Sequence, residues 1–170
     1  MHSTPPPYSK LLRCLSIQAA WQHVATSLQR AGIENERREA TIILQHATRQ
    51  SPTAFYSDLQ RALQPDEAAT VEDIVARRLR REPLQYILSS AFFYGREFYV
   101  DSGVLIPRPE TESLVEAFRA LPVSRREPAG CRRVADVGTG SGAIAVTLAC
   151  EFEDVQVLAI DRSRHALKVA

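Results

Sequence analysis

The 170-residue sequence is short of lysine, asparagine and long apolar runs, and each scarcity excludes something. No stretch of about 18 apolar residues occurs, so neither a transmembrane helix nor a membrane partner is expected. Cys14, Cys131 and Cys150 are odd in number and share no Cys-x-x-Cys spacing. That argues against a disulfide framework and a zinc knuckle, and for free thiols in a reducing compartment. Lys10 and Lys168 are the only lysines, and 21 basic against 20 acidic residues leave a net charge of +1. Such a balance excludes a polyanion-binding tail as the main theme and makes no case for direct contact with nucleic acid. No acidic residue precedes Glu34, a faint echo of a transit peptide. A helical pattern already begins at Ser16, however, and Pro5-Pro6-Pro7 suits a loose tail, so the cytoplasm is the expected location. The lone asparagine, Asn35, is followed by Glu36, and no Asn-Pro pair occurs anywhere.

What is present is ordinary globular material, 45% hydrophobic and 24% charged. Residues 1–14 read as a disordered leader. From Ser16, the residues Ile17, Ala20, Trp21, Val24, Ala25 and Leu28 recur at helical steps until Ala31-Gly32. A second helix is predicted over Glu36–Thr48, with Ala40, Ile43, Leu44 and Ala47 on one face, and a shorter piece over Thr53–Ala62. A third full helix starts at Pro65-Asp66-Glu67, where proline suits the first turn and the acids suit the positive end of the dipole. Together these predict a helical domain over residues 15–82.

After Pro83 the texture changes. Phe92-Phe93-Tyr94, Gly95-Arg96 and Phe98-Tyr99-Val100 read as two short strands around a turn, and Val104-Leu105-Ile106 is a further apolar run. Pro109-Glu110-Thr111-Glu112 opens a helix whose face would be Leu114, Val115, Phe118 and Leu121, and residues 122–131 form a loop. Val134–Val137, Gly138–Gly142, Ala143–Cys150 and Val155–Ile160 then read as strand, glycine turn, helix and strand, with a further helix starting before Ala170. This is the opening of a Rossmann-like α/β domain with an incomplete sheet.

The candidate chemistry lies where the first of these strands meets its helix. In Asp136-Val137-Gly138-Thr139-Gly140-Ser141-Gly142 the glycines permit a tight turn and a close ligand approach. Asp161 follows the next strand, at the same carboxyl edge of the sheet, where a carboxylate can accept both hydroxyls of a ribose. The spacing Gly138-x-Gly140-x-x-Ala143 also satisfies a dinucleotide pattern. The acid at 136 and the third glycine suit S-adenosylmethionine better, since no pyrophosphate then needs the helix dipole.

Arg81-Glu82-Pro83-Leu84-Gln85-Tyr86-Ile87, the Phe93-Tyr94-Gly95 turn, the block Val104-Leu105-Ile106-Pro107-Arg108-Pro109-Glu110-Thr111-Glu112 and the stretch Val134–Ala145 occur in that order. In this they closely resemble the release factor glutamine methyltransferases of the HemK or PrmC type, over about residues 15–170. The resemblance implies a helical release-factor-docking domain (15–82), a β-hairpin hinge (83–107) and the N-terminal part of a class I methyltransferase domain (108–170). It implies S-adenosylmethionine as cofactor and methyl transfer to the glutamine side-chain nitrogen of a Gly-Gly-Gln motif in a peptide chain release factor, by a monomer. Carried over, Asp136, Gly138, Thr139, Gly140, Ser141, Gly142 and Asp161 line the donor site, and Arg108, Pro109 and Thr111 border the substrate pocket.

Two departures stand out. Ser89 replaces the glycine usual after Tyr-Ile-Leu, and the Asn-Pro-Pro-Tyr loop that orients the target amide has no counterpart. The chain is therefore expected to be inactive alone, with no catalytic residue assigned. The alternative is a non-catalytic release-factor-binding module or a decayed gene fragment. A nicotinamide oxidoreductase does not explain the Leu105–Glu112 block, and a DNA adenine methyltransferase does not explain the helical domain and hairpin. The arginines at 77, 78, 80 and 81 read as a solvated helix end, Trp21 as core, and Glu110 and Glu112 as dipole and capping residues. His23 and His46 lack partners at metal-ligand spacing, so no metal is expected.

Overall fold

A computed structural model describes residue 12 and residues 15–121 and 131–170. Apart from Leu12, the expected leader lies outside the described residues, as does nearly all of the expected loop at 122–131. The chain divides into two compact units, one reaching Leu88 and the other starting at Ser89.

The first unit is helical. Helix α1 (Ile17–Arg30) is capped by Ser16, whose hydroxyl accepts from the Ala19 N–H, and it buries Ile17, Ala20, Val24, Ala25 and Leu28. Helix α2 (Glu36–Thr48) buries Ala40, Ile43, Leu44 and Ala47, the stripe read from the sequence. Helix α3 (Pro52–Ser57) stops short of the predicted Ala62. The carbonyls of Leu59 and Arg61 instead accept from the N–H groups of Gln18 and Ile17 at 2.9 Å each. Those donors have no partner within their own helix, and the segment after Ser57 meets them from a turn in which the Arg61 N–H donates to the Asp58 carbonyl at 2.9 Å. Helix α4 (Pro65–Leu79) begins with a capping box between Gln64 and Glu67, and Arg61 grips the same Glu67 carboxylate at 2.9 Å through two nitrogens. A short helix α5 (Leu84–Leu88) adds Leu84 and Ile87 to the helical core, so this unit extends past residue 82.

In the second unit, β1 (Ser90–Phe93) and β2 (Arg96–Tyr99) pair antiparallel, with Phe93 opposite Arg96. Tyr94 and Gly95 both have positive φ (50° and 74°), the geometry of a type I′ hairpin turn. Val104–Ile106 forms no strand: Val104 is buried, whereas Leu105 faces solvent. A 3₁₀ turn (Pro109–Thr111) leads into α6 (Glu112–Arg119). Of the face predicted for this helix, Val115 is fully buried and Phe118 partly buried, but Leu114 and Leu121 are exposed.

Strands β3 (Arg132–Val137) and β4 (Val155–Ile160) are parallel, in register from Arg132↔Val155 to Val137↔Ile160, and are joined through α7 (Ala143–Glu151). A final turn of helix, α8, covers Ala166–Val169. Phe93 and Phe98 of the hairpin share one core with Val115, Ala143 and Leu148. The hairpin therefore packs within this unit.

Candidate donor site

The turn between β3 and α7 alternates in backbone handedness. Gly138, Gly140 and Gly142 have φ of 86°, 56° and 77°, a region that residues with a Cβ enter only at a cost. The N–H groups of Gly138 and Thr139 both donate to the carbonyl of Ile160, at 2.7 and 3.0 Å, which pins the turn to the end of β4. The next residue is Asp161. Its carboxylate accepts from the Gly140 N–H at 3.0 Å and from the Ser163 N–H at 2.8 Å. These bonds, that of Ser163 foremost, hold the Asp161 carboxyl below its ordinary titration range. On the strand side, the Thr139 hydroxyl donates to Asp136 at 2.8 Å, and Thr139 and Ser141 are buried.

The three glycines have different surroundings. A Cβ on Gly138 would meet nothing within 4 Å, and one on Gly140 would meet only the Gly138 carbonyl, at 4.0 Å. A Cβ on Gly142 would lie 3.0 Å from the Cβ of Ala170. Gly138 and Gly140 thus border open space, while Gly142 is small because the chain packs against it. A ligand laid along this edge would meet bare backbone at two positions and a fixed anion at the third.

The seven predicted donor-site residues come together at this edge. Pro109 and Thr111 belong to the 3₁₀ turn and Arg108 caps it, with the Thr111 N–H donating to the Arg108 carbonyl at 3.0 Å. Among the described residues, no hydrogen bond or ion pair joins these three to the glycine turn. Glu112, from the same block, accepts from the Tyr94 N–H at 2.8 Å and so braces the hairpin turn. Tyr94 Oη in turn contacts Glu116 and Arg119, and Arg119 and Arg96 both reach Glu151. Sequence reasoning missed this brace, and also the pair Asp101–His165, whose partners are 64 positions apart.

The weaker sequence signals have structural partners. Arg77 pairs with Glu82, Arg78 pairs with Glu39 at 2.7 Å, and Arg81 donates to the carbonyls of Ala31 and Gly32. Trp21 Nε1 donates to Thr41 at 2.9 Å, a bond between α1 and α2. Among the described residues no group of three potential metal ligands occurs, and no helix is long and apolar enough to cross a membrane.

Residues 19–88 match the PrmC N-terminal domain family. The chain is 40% identical over 156 residues to a release factor glutamine methyltransferase of Koribacter versatilis, covering 92% of this chain and 54% of that protein. The enzyme of the same name from Bacillus subtilis is 41% identical over 157 residues, covering 91% and 53%. A bifunctional methyltransferase of Rickettsia typhi is 36% identical over 169 residues, covering 91% of this chain and 33% of that protein. The chain spans about half the length of the release factor glutamine methyltransferases it matches. The matches cover most of the chain, which is similar to an N-terminal portion of the release factor glutamine methyltransferases.

Proposed function

We propose that the chain carries the donor-binding edge and the substrate-docking domain of an S-adenosylmethionine-dependent protein-glutamine N5-methyltransferase. The observation that carries this reading is the Asp161 carboxylate, fixed by the Gly140 N–H beside two glycines that border open space. A donor with a ribose and an amino-acid tail suits that edge. Asp161 would accept the ribose hydroxyls with its remaining lone pairs, and the bare backbone of Gly138 and Gly140 would let the methionine portion lie close. Thr139 and Ser141 supply the neighbouring hydroxyls, and Asp136, steadied by Thr139, places negative charge near the cationic end of the donor. When bound, S-adenosylmethionine supplies an electrophilic methyl group on a sulfonium.

The acceptor we assign is the side-chain nitrogen of the glutamine in a release factor Gly-Gly-Gln motif, with Arg108, Pro109 and Thr111 bordering its pocket. The helical unit docks that partner, the working form is a cytoplasmic monomer, and β3–α7–β4 belongs to a Rossmann-like sheet. An amide nitrogen is a poor nucleophile because its lone pair is delocalised, so catalysis depends on groups that orient it. The 170 residues contain no Asn-Pro pair to match the family's amide-holding loop. The expected behaviour of this chain is donor binding without turnover.

The test is calorimetry with S-adenosylmethionine on the chain and on Asp161→Ala, with circular dichroism to confirm that both fold. We expect saturable binding that weakens clearly in the variant, because hydrogen bonds to a charged group are lost. Equal affinity in a folded variant removes Asp161 from the site. Labelled methyl transfer to a Gly-Gly-Gln-bearing release factor, above the no-enzyme control, overturns the expected inactivity.

A further inference from the structure

The loop that carries Asp161 has local bonds that set its shape. Ser163 Oγ accepts from the Ala166 N–H at 3.2 Å, the Ser163 carbonyl accepts from the Leu167 N–H at 3.1 Å, and Asp161 itself accepts from Ser163. A longer-range tie comes from His165, whose Nε2 lies 2.9 and 2.8 Å from the two carboxylate oxygens of Asp101. Both partners there are acceptors, so this nitrogen carries the donated proton. Asp101 is itself fixed, because Oδ1 also accepts from the Gly103 N–H at 2.8 Å. The imidazole and its Gly103 neighbour determine Asp101 titration together, holding the carboxyl below its usual range. The contact is shaped as well as charged: a Cβ on Gly103 would fall 2.3 Å from His165 Cδ2, so the turn can press this closely only with glycine there.

The pair spans two stretches that the candidate site needs. Asp101 and Gly103 stand just before the Ile106–Thr111 block, and His165 stands just after Asp161. We propose that Asp101 and His165 are positioning residues whose bond couples the turn leading into that block to the loop that presents Asp161 at the glycine turn. This inference rests on the donor-site reading above. Through the bond, the place of the Asp161 carboxylate, and with it donor affinity, depends on the charge state of His165. The other titratable and charged groups nearby are Tyr99, whose hydroxyl is 3.5 Å from Asp101, then Asp161, Arg162 and Arg164 on the loop and Lys168 on α8.

The experiment is a nuclear magnetic resonance pH titration of the ¹⁵N-labelled chain, following the His165 ring protons and the Gly140 and Ser163 amides. Calorimetry with S-adenosylmethionine accompanies it on the chain, Asp101→Asn and His165→Gln. The Gly140 amide is expected to shift with the midpoint of the His165 ring, and to lose at least about half of that response in Asp101→Asn. Donor affinity should fall about fivefold in both variants. A bond that only stabilises the fold would lower the melting temperature and leave the Gly140 titration unchanged. His165 is largely exposed, so its variant should fold. Gly103→Ala, which displaces the imidazole, must reproduce the loss. A Gly140 amide indifferent to His165, or folded variants with unchanged donor affinity, overturns the coupling. If the parent chain binds no donor, the donor reading fails while the amide titration still judges the coupling on its own.

Discussion

Asn35, Arg49, Arg81, Ser89 and Tyr94 hold positive φ although each carries a Cβ. At Arg81 the guanidinium offsets part of that cost by donating to the Ala31 and Gly32 carbonyls. Ser89, at φ 54°, has no such side-chain bond among the described residues. Ser89→Gly is therefore expected to raise stability by about 1 kcal/mol, seen as a melting temperature a few degrees higher. Gly140→Val runs the other way: φ 56° strains any branched residue, and its side chain would enter the open space beside Asp161. Loss of detectable S-adenosylmethionine binding is the outcome to look for by calorimetry, with the fold retained.

Acid dependence is also decided residue by residue. Asp161 is held low by the Ser163 and Gly140 N–H groups, Asp154 by Arg132, and Glu151 by Arg96 and Arg119. A carboxyl depressed in the folded state contributes stability above its unfolded value, and that contribution is lost as pH falls through the folded one. Urea midpoints should accordingly change little from these groups between neutrality and about pH 4, then drop.

At the scale of elements, the hairpin and α3 show how backbone donors are allotted. The β1–β2 turn places a tyrosine in the left-handed region, and Glu112 holds it by accepting the Tyr94 N–H. Glu112→Ala removes a charged acceptor from that amide. We expect a loss of about 1.5–3 kcal/mol, the range for hydrogen bonds to charged groups, with hydrogen exchange rising first in the hairpin amides. Unchanged hairpin protection would show that Tyr94 is held by its ring alone. Helix α3 ends early for the converse reason, since the carbonyls of Leu59 and Arg61 serve α1 instead of continuing a helix of their own.

At the scale of the whole molecule, the helical unit has its own core, from Leu12 and Ile17 through Ile74 to Leu84 and Ile87. An excised segment of residues 15–88 should fold cooperatively by circular dichroism. Ending it at residue 82 deletes two buried side chains, each worth about 1.5–3 kcal/mol of burial, and should lower its melting temperature clearly. The second unit is different. The burial along β3 and β4 alternates, and on one face Val137 and Leu158 are 77% and 63% exposed with Ile160 beside them. That open apolar strip should bind a hydrophobic dye, and Leu158→Lys should reduce the signal without unfolding the unit.

Much of the fold was legible in the sequence because its causes are local. The stripes of α1, α2 and α4 follow from a 3.6-residue period, β3 and β4 from short apolar runs, and the alternating glycines from the left-handed turns they permit. The grouping of Asp136, the glycine turn and Asp161 follows from the same order of strand, turn, helix and strand. Tertiary structure alone decided the features whose partners are far apart in the chain. Those are the capping of α1 by Leu59 and Arg61, the Glu112 brace on Tyr94, the Asp101–His165 tie, and the division of the glycines into two that face open space and one that is packed. Local spacing carries no record of such contacts, because a hydrogen bond across 18 or 64 residues depends on where the intervening chain returns.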